Sequence, residues 1–142
     1  DELLEDSHDN EIALIILDID NFKAINDNYG HYCGDQVLVQ LSQIIVNSSK
    51  TTDIVARVGG DEFIIGLNHP RSMKEINNYC QKLMESMSEF KICPITISMG
   101  IATSIKGQNY DDLYQIADKA LYDAKNAGRN NYRFANEMKK SE

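Results

Sequence analysis

The 142-residue chain is 42% hydrophobic, enough for one buried core and too short for two ordinary domains. Its 22 Asp and Glu against 14 Lys and Arg give a formal net charge of -8, which disfavours nucleic acid as a partner, because phosphate backbones are held by surplus Lys and Arg. Three cysteines, Cys33, Cys80 and Cys93, are odd in number and lack CxxC spacing, so neither a disulfide framework nor a zinc knuckle is indicated and a reducing compartment fits best.

Asp1 to Asn10 look like the tail of something upstream, because Asp1-Glu2-Leu3-Leu4-Glu5-Asp6 reads as the last turns of a helix whose beginning is absent, so residues 1–142 are expected to be an N-terminally truncated piece of a larger protein. The longest apolar run, Ile12 to Leu17, is far too short to cross a bilayer, and no direct membrane contact is expected. That run suits a central strand covered on both faces. Phe22, Ile25 and Tyr29 then fall at helical spacing, and Gly30 ends the segment. A second helix is predicted from near Asp35, with Val37, Leu38, Leu41, Ile44 and Ile45 on one stripe. Ile54 to Val58 and Phe63 to Leu67 read as strands joined by a hairpin at Gly59-Gly60-Asp61-Glu62. Ser72-Met73-Lys74-Glu75 matches a capping box and opens an amphipathic helix through Met87. Ile95, Ile97, Met99 and Ile101 alternate with Thr96, Ser98, Gly100 and Ala102, the period of a strand with unlike faces. Leu113, Ile116, Ala117, Ala120, Leu121 and Ala124 mark a last helix that Gly128 terminates, and Tyr132 to Phe134 adds an edge strand. The order β-α-α-β-β-α-β-α-β describes one α+β domain, a largely antiparallel five-stranded sheet flanked by helices.

Asp18 and Asp20 leave the first strand where it meets a helix, positions suited to metal ligation; the alternative is a helix N-cap. Asp61 and Glu62, adjacent at a tight turn, repel one another unless a cation lies between them, and Asp18, Asp61 and Glu62 would complete a magnesium site if strand end and hairpin lie side by side. Gly59 and Gly60 would let backbone approach a phosphate, the alternative being a solvated turn. Lys125 and Arg129, four apart at the end of the last helix, suit either the helix dipole or a phosphate clamp. Asn26 and Asp35 have side chains able to pair with guanine, with turn and N-cap roles as the alternatives. His31, alone in a glycine-bounded loop, reads as structural.

Four ordered blocks resemble the GGDEF family of diguanylate cyclases: Asp18-Ile19-Asp20-Asn21-Phe22-Lys23 with Asn26-Asp27, Gly30-His31 and Gly34-Asp35; Ala56-Arg57-Val58-Gly59-Gly60-Asp61-Glu62-Phe63; Ser98-Met99-Gly100-Ile101-Ala102; and Ala117-Asp118-Lys119-Ala120-Leu121-Tyr122 with Ala124-Lys125 and Gly128-Arg129-Asn130. The resemblance implies a palm-like nucleotidyl cyclase fold and a signalling domain that condenses two GTP into cyclic di-GMP with release of two pyrophosphates. It implies Mg2+, with Mn2+ as a substitute, held by Asp18, the Ile19 carbonyl, Asp61 and Glu62, with Glu62 as a further ligand or proton acceptor. Asn26 and Asp35 would read guanine, Phe22 and Lys23 would donate main-chain N–H groups to phosphate beside Gly59 and Gly60, and Lys125 and Arg129 would neutralise the terminal phosphates. A homodimer with one GTP per protomer, an upstream sensory or regulatory domain and a cytoplasmic location, with the parent protein tethered to a membrane or not, belong to the same implication. The alternative is a catalytically inactive GTP-binding regulatory domain, which loss of an acid would favour; a third reading is a cyclase of another purine, against which Asp35 argues.

Two departures stand out. Where the family's product-inhibition motif is Arg-x-x-Asp, this chain reads Lys50-Thr51-Thr52-Asp53, and Lys lacks the planar fork that stacks on guanine. The family's N-terminal Asp-x-Leu-Thr-Gly-Leu block is absent.

Overall fold

The computed structural model describes residues 12–68, 72–90, 93–104 and 108–135; the helix expected within Asp1 to Asn10 lies outside them. Five strands form one sheet: β1 (Ile12–Ile19), β2 (Ile54–Val58), β3 (Glu62–Asn68), β4 (Ile97–Thr103) and β5 (Tyr132–Phe134), in the order β2-β3-β1-β4-β5. Every pairing is antiparallel except β4 with β5, so the sheet is mixed and the domain is of α+β type. Helices α1 (Phe22–Tyr29), α2 (His31–Asn47), α3 (Met73–Ser86) and α4 (Tyr110–Asn126) cover it.

The continuous apolar run makes β1 the centre of the sheet, because a strand buried on both faces needs apolar side chains in both directions. Its odd residues, Ala13, Ile15, Leu17 and Ile19, pack with α1, α2 and α3 through Ile25, Val37, Leu41, Ile45, Ile76, Cys80 and Leu83. Its even residues Leu14 and Ile16 face α4 through Leu113, Ala117, Ala120 and Leu121. Asp18 continues the even series, so its carboxylate falls on the α4 face.

Three details differ from the sequence expectation. Helix α2 starts at His31, not near Asp35: Gly30, at φ 92° and ψ 157°, ends α1 and opens α2 in a single residue, which only a backbone free of a Cβ does cheaply. Asp35 therefore sits inside the helix and caps nothing. Strand β4 begins at Ile97 rather than Ile95, and it has no polar face, since Ile97 to Ala102 are all buried. Ser98, Gly100 and Ala102 are small because α4 lies directly on them: a Cβ at Gly100 would stand 2.2 Å from both the Ala117 carbonyl oxygen and the Leu121 nitrogen. Helix α4 stops at Asn126, two residues before Gly128, and the chain then runs left-handed through Gly128, Arg129 and Asn130. The capping box is realised, with the Ser72 hydroxyl accepting from the Glu75 N–H at 3.1 Å.

Candidate active site

The register that builds the sheet also gathers the acids. Asp18 pairs with Glu62 on β3 and with Ser98 on β4, so the end of β1 lies against the start of β3. The Ile19 N–H donates to the Asp61 carbonyl at 3.2 Å, which fixes the glycine turn to the strand end. The turn itself needs Gly59 at φ 68° and is braced by Arg57, whose guanidinium donates to the Gly60 carbonyl at 2.9 Å.

At this junction the Asp61 and Asp18 side chains meet. Burial first, then the charge of Asp18 and a hydrogen bond with its carboxyl, hold the Asp61 acid above the ordinary carboxylate range, while its own backbone and Lys125 act the other way. Lys125, in the last turn of α4, donates to Asp18 Oδ2 as an ion pair. Asp18 Oδ1 is buried and has no hydrogen-bond partner. A crowded carboxylate pair with an orphaned buried oxygen fits a hard divalent cation such as Mg2+, which takes one or two carboxylates and completes its shell with water and phosphate oxygens. Among the described residues, however, no group of three or more acidic, His or Cys side chains is already gathered as a metal cage. Glu62 shares the region and is engaged by another element: its Oε2 accepts from the Tyr114 hydroxyl of α4 at 2.9 Å. That hydrogen bond, before burial, pushes the Tyr114 hydroxyl up to about 12.

Asp20 has a different place from either reading of it. Two residues beyond Asp18, and so on the same face of the sheet, Asp20 turns its carboxylate to Ser98 of β4. Asp20 is not a helix cap: Asn21 occupies that position at φ 54° with no capping side chain. The residue is 6% exposed, and its carboxylate accepts from Thr96 Oγ1 at 2.6 Å, Ser98 Oγ at 2.6 Å and the Asn130 N–H at 2.9 Å. Asp20 thus ties β1, β4 and the loop after α4 together. Asn131 adds to this by donating to the carbonyls of Ala124 and Arg129 at 2.9 and 2.8 Å.

Phe22 and Lys23 open α1, where the first N–H groups lack helical acceptors and point out from the strand end. Asn26 and Asp35 flank Gly34, at which a Cβ would stand 1.9 Å from Asn26 Oδ1. Asp35 lines a cleft of about 580 Å3 with Leu38, Val39 and Arg57. Arg129 is exposed at φ 62° beside the end of α4. Sequence reasoning missed Tyr114, Thr96, Ser98 and Asn130 as parts of this network. A signal for Tyr114 existed: it lies eleven residues, three helical turns, before Lys125 and so shares its face of α4.

The family model for the diguanylate cyclase GGDEF domain matches residues 1–131. The chain belongs to the GGDEF family. This GGDEF domain is 37% identical over 130 residues to the diguanylate cyclase DgcS of Shewanella oneidensis, covering 87% of this chain and 42% of that protein. It is also 37% identical over 125 residues to diguanylate cyclase DosC of Escherichia coli, covering 84% of this chain and 27% of that protein. The GGDEF domain therefore spans less than half the length of these curated relatives. The GGDEF domain of DgcB from Caulobacter crescentus, solved with c-di-GMP, superposes with a TM-score of 0.89 at 28% identity over 96% of this chain and 85% of that one. The active GGEEF domain of a Vibrio cholerae diguanylate cyclase gives 0.86 at 30% identity, over 94% and 90%.

Proposed function

We propose that this domain is a diguanylate cyclase that condenses two GTP into cyclic di-GMP with release of two pyrophosphates, each protomer of a homodimer holding one GTP and Mg2+. The observation that carries the reading is the meeting of the Asp18 and Asp61 carboxylates beside Lys125, in a chain whose relatives are named diguanylate cyclases. When bound, Mg2+ supplies charge against the triphosphate and makes the ribose 3'-hydroxyl easier to deprotonate.

The chain's own groups do the rest. Asp18, the Ile19 carbonyl and Asp61 hold the cation, and Glu62 is a further ligand or takes the hydroxyl proton. The free N–H groups of Phe22 and Lys23 at the start of α1 hold phosphate oxygens, with Gly59 and Gly60 leaving room for the chain to approach. Lys125 and Arg129 neutralise the terminal phosphates as charge builds on the departing pyrophosphate. Asn26 and Asp35 pair with guanine. Because one protomer holds only one of the two nucleotides, a monomer binds GTP but does not turn over, and dimerisation through the rest of a longer protein is the natural control point.

The test is incubation of purified protein and of a forced-dimer form carrying the family's N-terminal block with GTP and Mg2+, with product identified by mass spectrometry. The forced dimer is expected to make cyclic di-GMP and Asp61→Ala to lose at least about 100-fold in rate. A forced dimer that binds GTP yet makes no cyclic dinucleotide would replace this reading with the regulatory one.

A further inference from the structure

Glu62 is the one acid of the glycine turn that the structure finds engaged elsewhere. Its strand partner is Asp18, so backbone register brings it to the same sheet face as the Asp18–Asp61 pair, yet its carboxylate is bonded to a tyrosine from another element. That tyrosine does not stand alone. Tyr110, one turn earlier on α4, lies against Tyr114 with ring centroids 6.2 Å apart and planes tilted by 43°, and both rings pack on the α4-side core. The hydroxyl is thus delivered by a ring wedged between a neighbouring aromatic and the sheet. The Asp18–Asp61 pair, by contrast, has Lys125 beside it as a cation.

We propose that Tyr114 is a positioning residue that latches Glu62 away from the carboxylate pair, so that recruiting Glu62 to a bound divalent cation requires breaking the Tyr114–Glu62 hydrogen bond. This rests on the reading of Asp18 and Asp61 as the cation site. Three carboxylates without a cation repel one another, and a hydroxyl donor gives the third a stable position outside the cluster. The same hydrogen bond then opposes the last step of cation uptake, setting the concentration of cation at which the site fills. Tyr114 touches neither substrate nor cation; it acts through Glu62.

The experiment measures Mn2+ binding to the purified, nucleotide-free domain by calorimetry and electron paramagnetic resonance, so it does not depend on turnover. Tyr114→Phe keeps the ring and removes the hydroxyl; Tyr114→Leu keeps an apolar plug and removes both ring and hydroxyl, and circular dichroism checks that each is folded. Both are expected to bind Mn2+ about three- to tenfold more tightly than the parent, the range set by losing one hydrogen bond to a part-buried carboxylate. In a Glu62→Gln background the same change should have no effect, since no carboxylate remains to be released. Equal affinity in parent and Tyr114→Phe overturns the latch, and weaker binding in Tyr114→Phe overturns it in favour of Tyr114 aiming Glu62 at the cation. Asp18→Asn and Asp61→Asn separate the two levels of inference. If Mn2+ binding survives both, the cation-site reading fails and the latch with it; if binding is lost in both but Tyr114→Phe matches the parent, only the latch fails.

Discussion

Asp20 illustrates how a single carboxylate can serve a site without touching its chemistry. It accepts three hydrogen bonds at 2.6 to 2.9 Å, from Thr96 just before β4, Ser98 on β4 and Asn130 in the loop after α4. Asp20→Ala would leave two hydroxyls and a backbone N–H without their acceptor, and a loss of about 2–4 kcal/mol in unfolding free energy is expected, read by urea denaturation. Because the Asn130 N–H is one of those donors, the neighbouring Arg129 should also lose its fixed position, and GTP affinity should fall further than for a distant change of equal stability cost. Gly34 is the steric counterpart. Gly34→Ala puts a methyl on Asn26 Oδ1, so it should weaken GTP binding by displacing that amide while leaving the melting temperature within a few degrees; titration with a fluorescent GTP analogue separates the two effects.

At the scale of elements, most of the architecture was legible because hydrophobic period and glycine placement are local signals. The run at Ile12 to Leu17 located the central strand, and the paired glycines located the hairpin. The start of α2 was not legible, since a glycine that ends one helix and opens the next looks like the border of a loop. The buried second face of β4 was misread for a related reason. Ser98, Gly100 and Ala102 look half-exposed on period alone, and only the approach of α4 reveals that small size, not polarity, was the requirement. Gly100→Ala is accordingly expected to cost about 3 kcal/mol or more, because the new methyl meets helix backbone that cannot rotate away; thermal denaturation checks it. The acids of the site were visible by type and spacing, whereas the Tyr114 and Asp20 partners depend on contacts between residues 52 to 110 positions apart, which no window of sequence contains.

For the whole molecule, the crowding of Asp61 against Asp18 predicts a trade of stability for readiness to bind a cation. The folded-state acid is raised above its ordinary value of 3.8, so the folded protein holds that proton more tightly than the unfolded chain. Its contribution is therefore favourable at low pH and is lost as pH rises through the raised value. In metal-free buffer Asp61→Asn should melt at a higher temperature than the parent at pH 7, with the gap closing toward pH 4, and Mg2+ should stabilise the parent more than the variant. A variant that melts below the parent at pH 7 would contradict this account. Regulation by product is expected to be weak. Asp53 is occupied within the fold, accepting from the Lys50 and Asn68 N–H groups at 2.8 and 3.0 Å, while Lys50 pairs with Glu75 at 3.1 Å. Added cyclic di-GMP should leave initial rates nearly unchanged, and restoring Lys50→Arg should strengthen inhibition.

The ion pair between Asp18 and Lys125 joins residues 107 positions apart, and the Asp20 bond to Asn130 spans 110. A ribosome that has released the chain only through α3 therefore displays an aspartate pair whose cationic neighbour is still to be translated. Competence to hold a cation should arrive late in synthesis and all at once, when α4 docks on β4 and brings Lys125 and Asn130 to the end of β1.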